Sequence, residues 1–569
     1  MENQRLLLYF TLFFVVYLLW AQWQMDYGPK PVPQQVTTSA EAPGASTSAP
    51  AKDHLPAAEI PDQPHQPVQA RVAQETGQRI HVTTDLLDVE IDTRGGDIRK
   101  MVLLDYAKTA DKPDVKLALM EDNDDNYFIA QSGLVSSDAD SAPTHNALYT
   151  ADKDSYTLQP GSDVVEVSLH WQNKDGARVT KLFRFHRGEY VIDVEHVIEA
   201  GDKDWSGSPY MQLVRTPPDN GSNKTFTRTY TGGVVYNDVI KYEKVSFDDI
   251  AKEDLKDRLG IDACLNTNPK SKGCDLQDGW LAMTQHYFLA AWLPDPGAVN
   301  HYYDRKPSNG DRYILGARSP VVKVAAGSTA TVKSRFIAGP KLQDRLAKVA
   351  PGLELTVDYG ILTILAKPLF WLLEFFHGIF GNWGWAIIFL TITVKSVFYK
   401  LSEMSYRSMA RMRKVAPRMK QMKEQYGDDR QAMSKAMMEL YKREKINPLG
   451  GCLTIVVQMP VFISLYWVLL ESVEMRYAPF ILWIHNLSGM DPYFILPVIM
   501  GISMWAQQKL NPAPVDPVQQ KVFQFMPLVF TFMFAFFPSG LVLYWVVNNI
   551  LSITQQYIIT RNIEKGNAK

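Results

Sequence analysis

Six apolar runs set the terms on which this chain can fold: Leu6–Trp23, Asn382–Tyr399, Gly450–Leu470, Tyr493–Gln507, Val522–Phe537 and Gly540–Ile558. The first is long enough for a helix to cross a hydrocarbon core of roughly 30 Å. Five of the six crowd the last third of the chain, and a long polar stretch separates them from the first. Such a pattern reads as an α-helical polytopic membrane protein with a large domain outside the bilayer. Pro and polar residues interrupt several runs, which neighbouring helices in a bundle can accommodate.

Charge orients these runs. Residues 400–449 hold 13 Lys+Arg against 6 Asp+Glu, and the tail adds Arg561, Lys565 and Lys569. The connection 471–492 carries Glu471, Glu474 and Asp491 against Arg476. Basic loops stay on the cytoplasmic side. That places 400–449 and both termini inside, with 471–492 and residues 24–352 outside. A chain of net charge -2 makes no case for binding DNA.

The N-terminal run is expected to be an uncleaved signal anchor, residues 1–27, with Trp20 and Trp23 at the interface. The alternative, a cleaved signal peptide, has a shorter apolar region and a small-residue cleavage site. Residues 28–78 are rich in Pro, Ala, Gln, Ser and Thr. Too little there can be buried to offset the entropy of ordering, so a disordered periplasmic tether is expected. From residue 79 to 340, alternating stretches such as VVEVSLHWQ and YVIDVEHVIEA lie between turn signals such as RGGD, NKDG and HRGE. They predict a large β-sandwich-like domain.

Residues 341–381 are read as connecting and interfacial helices. LQDRLAKVAP forms a short helix. YGILTILAKPLFWLLEFFHGIFG, broken by Lys367–Pro368 and carrying Glu374 and His377, lies in the outer interface as an amphipathic helix. The alternative is a seventh span, which would invert everything after it. The helical core then covers 382–558, followed by a short basic tail, 559–569.

Chemistry-bearing motifs are scarce. His81, His170, His186, His196 and His286 fall in no HExxH, and no GxSxG or Walker loop is present. No Cys/His spacing suits zinc, so neither cofactor nor metal is expected. Cys264 and Cys274 lie ten positions apart. In an exported domain they form a disulfide or stay as two thiols. Cys452 has no evident partner.

The unusual residues lie in the spans. Lys395 sits inside the second run, where an ionised group is costly and usually faces a polar cavity. The competing reading is that its stem snorkels to the nearby cytoplasmic edge. Thr391, one turn earlier, shares its face. Gln458, Ser464, Tyr466, Tyr544, Trp545, Asn548 and Asn549 add polar groups. They either line a wetted pocket or form ordinary interhelical hydrogen bonds. Within 400–446, two amphipathic helices joined at YGDDR interleave basic residues with Met412, Met419, Met422, Met433 and Met437. Those methionines offer an adaptable surface for apolar partners, or form the seam of a hairpin over anionic lipid.

GNWGWAII, YGDDRQAMSKAMMELYKREKINPLGGC, QMPVFISLYW, RYAPFILWIHNLSGMDPYFILP and FPSGLVLYWVVNN carry a family resemblance. From about Tyr359 onward the chain resembles the YidC/Oxa/Alb membrane protein insertases. The resemblance implies a five-helix insertase core with a hydrophilic groove open to the cytoplasm and to lipid. It implies a periplasmic β-supersandwich related in fold to sugar mutarotases, and a chaperone and insertase function without catalysis. It puts Lys395 where the family commonly has Arg, and Thr391, Gln458, Tyr544 and Trp545 at groove-lining positions. The implied partners are nascent membrane proteins, the Sec translocon, and the ribosome or signal recognition machinery, alongside anionic lipids. The rival readings are an ion-coupled secondary transporter using Lys395 and a membrane-tethered periplasmic carbohydrate-active enzyme.

Overall fold

The computed structural model describes residues 77–564, apart from 124–125, 139, 219–228, 261–262, 266–271, 308–310, 427–428, 445–449 and 512–516. The expected signal anchor, nearly all of the tether and the last five residues lie outside the described residues.

The alternation read from the sequence becomes two large sheets. In Val191–Glu199 the inward side chains are Ile192, Val194, His196 and Ile198. The strand pairs antiparallel with Arg178–His186 and Thr329–Pro340, setting Ile192 opposite both Phe185 and Phe336. Among the described residues the two sheets hold eleven and nine strands. Their core gathers Phe183, Phe185, Trp292 and Phe336, with the Trp292 and Phe336 rings 4.8 Å apart. Each such side chain contributes roughly 1.5–3 kcal/mol by burial. Lys181 is wholly buried among them, and its Nζ donates to the carbonyls of Gly95, Gly96 and Ser132, each at 2.9 Å. Three acceptors offset the desolvation that an unpartnered ammonium would suffer.

The chain leaves the sheets through helix α1 (Gln343–Val349) and enters the helical part. Its helices are α2 (Thr363–Phe380), α3 (Trp383–Val397), α4 (Tyr399–Tyr426), α5 (Arg430–Arg443), α6 (Gly450–Glu471), α7 (Ile495–Leu510), α8 (Pro517–Phe534) and α9 (Ser539–Glu564). The Asn382 side chain caps α3 by accepting from Gly384 N and Trp385 N. Pro517 suits the first position of α8. That helix ends at Phe534, three residues short of the expected Phe537, because Pro538 disfavours helical backbone before it. A 67° bend separates α3 from the first part of α4. Among the described residues α2 alone is long and apolar enough, taken singly, to cross a membrane. α3 has 15 residues, about 22 Å of helix.

One connection, residues 472–494, organises the face nearest the sheets. Asn382 Nδ2 at the start of α3 donates to Pro479 O at 3.2 Å. The start of α9 is tied there by Ser539 Oγ to Asn486 O (2.7 Å) and Gly540 N to Leu487 O (2.9 Å). α6 runs into this connection, α7 leaves it, and α8 ends beside it. At the far face Gln555 of α9 donates to Tyr399 O, and Gln556 donates to Leu510 O at the end of α7, both at 3.2 Å. The helices α3, α6, α7, α8 and α9 therefore alternate in direction.

Both ends of α2 meet that same connection. Just before it, the Tyr359 hydroxyl lies 3.2 Å from Ser472 Oγ. Just after it comes the Asn382–Pro479 contact. Eighteen helical residues span about 27 Å, whereas seven chain steps from Ser472 to Pro479 cover at most about 25 Å when fully extended. That stretch is itself folded by turns, with Met475 N donating to Ser472 O and Ala478 N to Met475 O. Both ends of α2 are therefore anchored to one short, folded stretch of chain.

The sheets rest on this face. Arg476 and Tyr477 donate to Lys108 O at 3.3 and 3.2 Å, Lys244 pairs with Asp358, and Trp280 Nε1 donates to Pro351 O at 3.0 Å. Gly352 (φ 75°) lies flat against the Tyr236 ring, in backbone that L side chains resist.

Candidate functional site

Lys395 occupies the last turn of α3, with Thr391 one turn before it. Both point into the bundle, and Lys395 is only 7% exposed. The lysine therefore does not snorkel. Its Nζ donates to Ser552 Oγ of α9 at 2.7 Å, and Ser552 donates onward to Asn548 O at 2.7 Å. Ser552 also lies beside the Tyr406 hydroxyl of α4. Thr391 Oγ1 satisfies itself on Ile387 O at 2.7 Å within its own helix.

A second cluster surrounds the start of α9. Tyr544 is buried, its ring 6.3 Å from Phe462 of α6. Trp545 stands edge-on to Phe462 at 4.7 Å and lies 5.2 Å from Phe534 of α8. The Trp545 Nε1 donor is buried without a partner among the described residues, a place where a polar group would be held. Tyr544 and Ser552 are eight residues apart on one helix, about 12 Å along its axis. The two clusters thus lie at successive levels of α9. Gln458 is half-buried on α6. Asn549 is used structurally, donating to Ser503 of α7 at 2.9 Å.

Most of the methionines serve the hairpin itself. Met412, Met419, Met422 and Met437 pack with Val415, Leu440 and Tyr441 between α4 and α5. Met433 is half-buried, and Met404 and Met438 are the exposed ones. The sequence reading missed Ser552 and the hydroxyls of α4. Their signal was spacing alone, with Ser402, Ser405 and Tyr406 on one helical face.

In the sheet domain Cys264 and Cys274 are joined as a disulfide, Cα–Cα 5.1 Å. The histidines are dispersed. His186 pairs with Asp193 at 2.8 Å, His301 with Asp275 at 2.5 Å, and His196 is buried. Burial lowers the His196 pKa to about 3. Among the described residues no three His, Cys, Asp or Glu side chains converge as a metal site would require.

Residues 79–372 match the family described as YidC periplasmic domain, and residues 375–566 match the family described as 60Kd inner membrane protein. A protein of Methylococcus capsulatus named membrane protein insertase YidC is 51% identical over the whole of both chains. One of the same name from Thioalkalivibrio sulfidiphilus is 48% identical, again over both whole chains. The chain belongs to the YidC family of membrane protein insertases. It is an inner-membrane protein with a periplasmic domain, and insertion makes and breaks no bond, so it is not an enzyme. Among solved structures, an active YidC insertase with its first transmembrane domain resolved is similar at 18% identity and a TM-score of 0.37. That likeness covers 85% of this chain and 95% of the other. A putative aldose 1-epimerase from Escherichia coli K12 gives 9% identity and a TM-score of 0.27, over 46% of this chain and 99% of the other.

Proposed function

We propose that the chain carries hydrophobic segments with short polar flanks from the cytoplasm into the inner membrane along a hydrophilic groove. Lys395, Thr391, Gln458, Tyr544 and Trp545 are its lining. The observation that carries this reading is an ammonium buried between helices of a membrane bundle and held by a single hydroxyl. Such a group is costly to keep unless it serves a passing polar partner. A polar flank crossing bare lipid loses its water and gains nothing in return. A polar path partway into the bilayer shortens the dry distance, and a positive charge within it holds acidic residues in transit. The short α3 thins the bilayer locally and lowers the barrier further.

Charge and geometry together support one topology. The face that bears 472–494 and the sheets is periplasmic. The basic α4–α5 hairpin and both termini are cytoplasmic, and the core helices cross in alternation. α2 lies along the outer interface, a placement supported by the tethering of both its ends to one connection. The Cys264–Cys274 bridge suits an oxidising compartment. The Sec translocon, the ribosome or signal recognition machinery, and anionic lipids under the hairpin are its proposed partners. The test is reconstitution of the full chain alone in liposomes with a small single- or double-span client bearing a short acidic flank. Protease-protected client above the level of empty liposomes is expected, and its absence rejects the reading.

A further inference from the structure

α4 turns an unusual face to the bundle. An amphipathic helix normally buries an apolar stripe, yet here the buried residues of the first turns are Ser402, Ser405, Tyr406 and Ala410. The Ser402 and Ser405 hydroxyls are enclosed and have no hydrogen-bond partner among the described residues. Leaving one such group unsatisfied costs about 1–3 kcal/mol, so a pair of them marks a place where something polar is received. Tyr406, on the same face, lies beside Ser552, the hydroxyl that holds Lys395. α4 packs on α9 beyond this point as well. Farther along, the two helices part around a cavity of about 350 Å³ lined by Ala410, Arg413, Lys414, Thr560 and Ile563. Arg413 and Lys414 are exposed there.

We propose that the α4–α9 seam is a carboxylate-binding channel through which a client's acidic flank reaches Lys395, with Arg413 and Lys414 at its mouth and the Ser402 and Ser405 hydroxyls as donors along its wall. This rests on the insertase reading above and names a binding path within it. The order of groups suits a carboxylate on a flexible peptide. Exposed cations capture it, neutral donors pass it inward, and a buried ammonium receives it. A lipid phosphodiester fits less well, because its acyl chains would have to follow it past two charged side chains.

The test uses full-length protein in liposomes and a single-span client. The client's flank carries one Asp beside one cysteine, and a folded tag stalls it in transit. In a Cys452→Ser background, Ser405→Cys is expected to form a disulfide with the client, on the order of tenfold less when the flank Asp is replaced by Asn. Ser402→Ala with Ser405→Ala should slow Asp-flank insertion more than neutral-flank insertion, again on the order of tenfold. If wild-type protein inserts the client but no cross-link forms, or the cross-link ignores flank charge, the channel is overturned and the insertase reading stands. A cross-link that follows anionic lipid content instead of flank charge overturns it too, and assigns the seam to headgroups. If wild-type protein inserts nothing, the insertase reading fails and takes the channel with it.

Discussion

His286 of the sheet domain holds a carbonyl at the outer end of α6: its Nε2 lies 2.7 Å from Leu470 O, and its ring stacks on Tyr287 at 3.7 Å. The last carbonyls of a helix lack intrahelical donors, so the sheet domain supplies one from outside. His286→Ala should remove about 1 kcal/mol of local support. Amide hydrogen exchange in 468–476 of the full-length protein should then speed up, while exchange in Val191–Glu199 stays as it was. His286→Gln, which keeps a donor, should restore much of the protection. Unchanged exchange in the alanine variant would sink the idea.

Lys395 should act on charge rather than on bulk. Lys395→Glu is expected to impair clients with acidic flanks on the order of tenfold more than clients with neutral ones, because it replaces a charged partner by a repelling one. Lys395→Arg should retain function. In a Cys452→Ser background, a cysteine at 395 should react with a small water-soluble thiol reagent added from the cytoplasmic side. Equal losses for both flank types would reject charge handling, and an unreactive thiol would reject the wetted path.

Asp304 sets a pH dependence in the sheet domain. Its carboxyl is buried, Oδ2 has no partner among the described residues, and burial raises its pKa to about 7. Between about pH 4 and 7 the folded chain keeps this proton and the unfolded chain does not. Folded-state stability therefore falls as pH rises through that window and stays lower above it. Asp304→Asn should abolish this component and raise stability at pH 8 by on the order of 1–2 kcal/mol. Thermal unfolding in detergent at pH 5 and pH 8 reads the difference. A variant whose two melting temperatures shift equally would contradict it.

Gly384 fixes how α3 meets the outer connection. A Cβ there would overlap the Phe480 ring, and Phe480 also packs edge-on to Trp385 at 5.7 Å. Gly384→Ala should push Phe480 aside at a cost of about 1–3 kcal/mol, as overpacking does elsewhere. The expected readout is a lower melting temperature together with new protease sensitivity in 477–486. Gly378→Ala, where an added Cβ meets open space, should be tolerated. Equal behaviour of the two variants would refute the packing argument.

The sheet domain was legible because period-two burial shows directly in stretches such as VIDVEHVIE, where register follows from the pattern. The core helices were legible in number and order, since apolar length needs no partner to be seen, but α8 begins five residues before Val522 and α9 runs six past Ile558, where the sequence turns polar. Lys395 stood out because an ion inside an apolar run is conspicuous. Its partner did not. Ser552 sits 157 residues away among Asn, Ser and Thr that any bundle uses, and pairing between distant helices leaves no local trace. The hydroxyl face of α4 was hidden for another reason. Arginine, lysine and methionine dominate that segment, and the serines between them read as filler until the fold showed which side faces inward. The bend after Val397 left no mark either, for neither Pro nor Gly stands there.

The knot of contacts at 472–494 governs which way this molecule can open. Five helices share that collar, so one set of tips is fastened to a single connection, whereas the far tips meet through side-chain contacts such as Gln555 to Tyr399 O and Gln556 to Leu510 O. A rod of 22 residues, about 33 Å long, that swings by about 10° around a fixed tip moves its loose end by about 6 Å. That displacement is enough to admit a peptide on one side and leave the other side sealed. A solute carrier must expose its cargo to each compartment in turn, and a bundle collared at one rim is poorly built for that exchange.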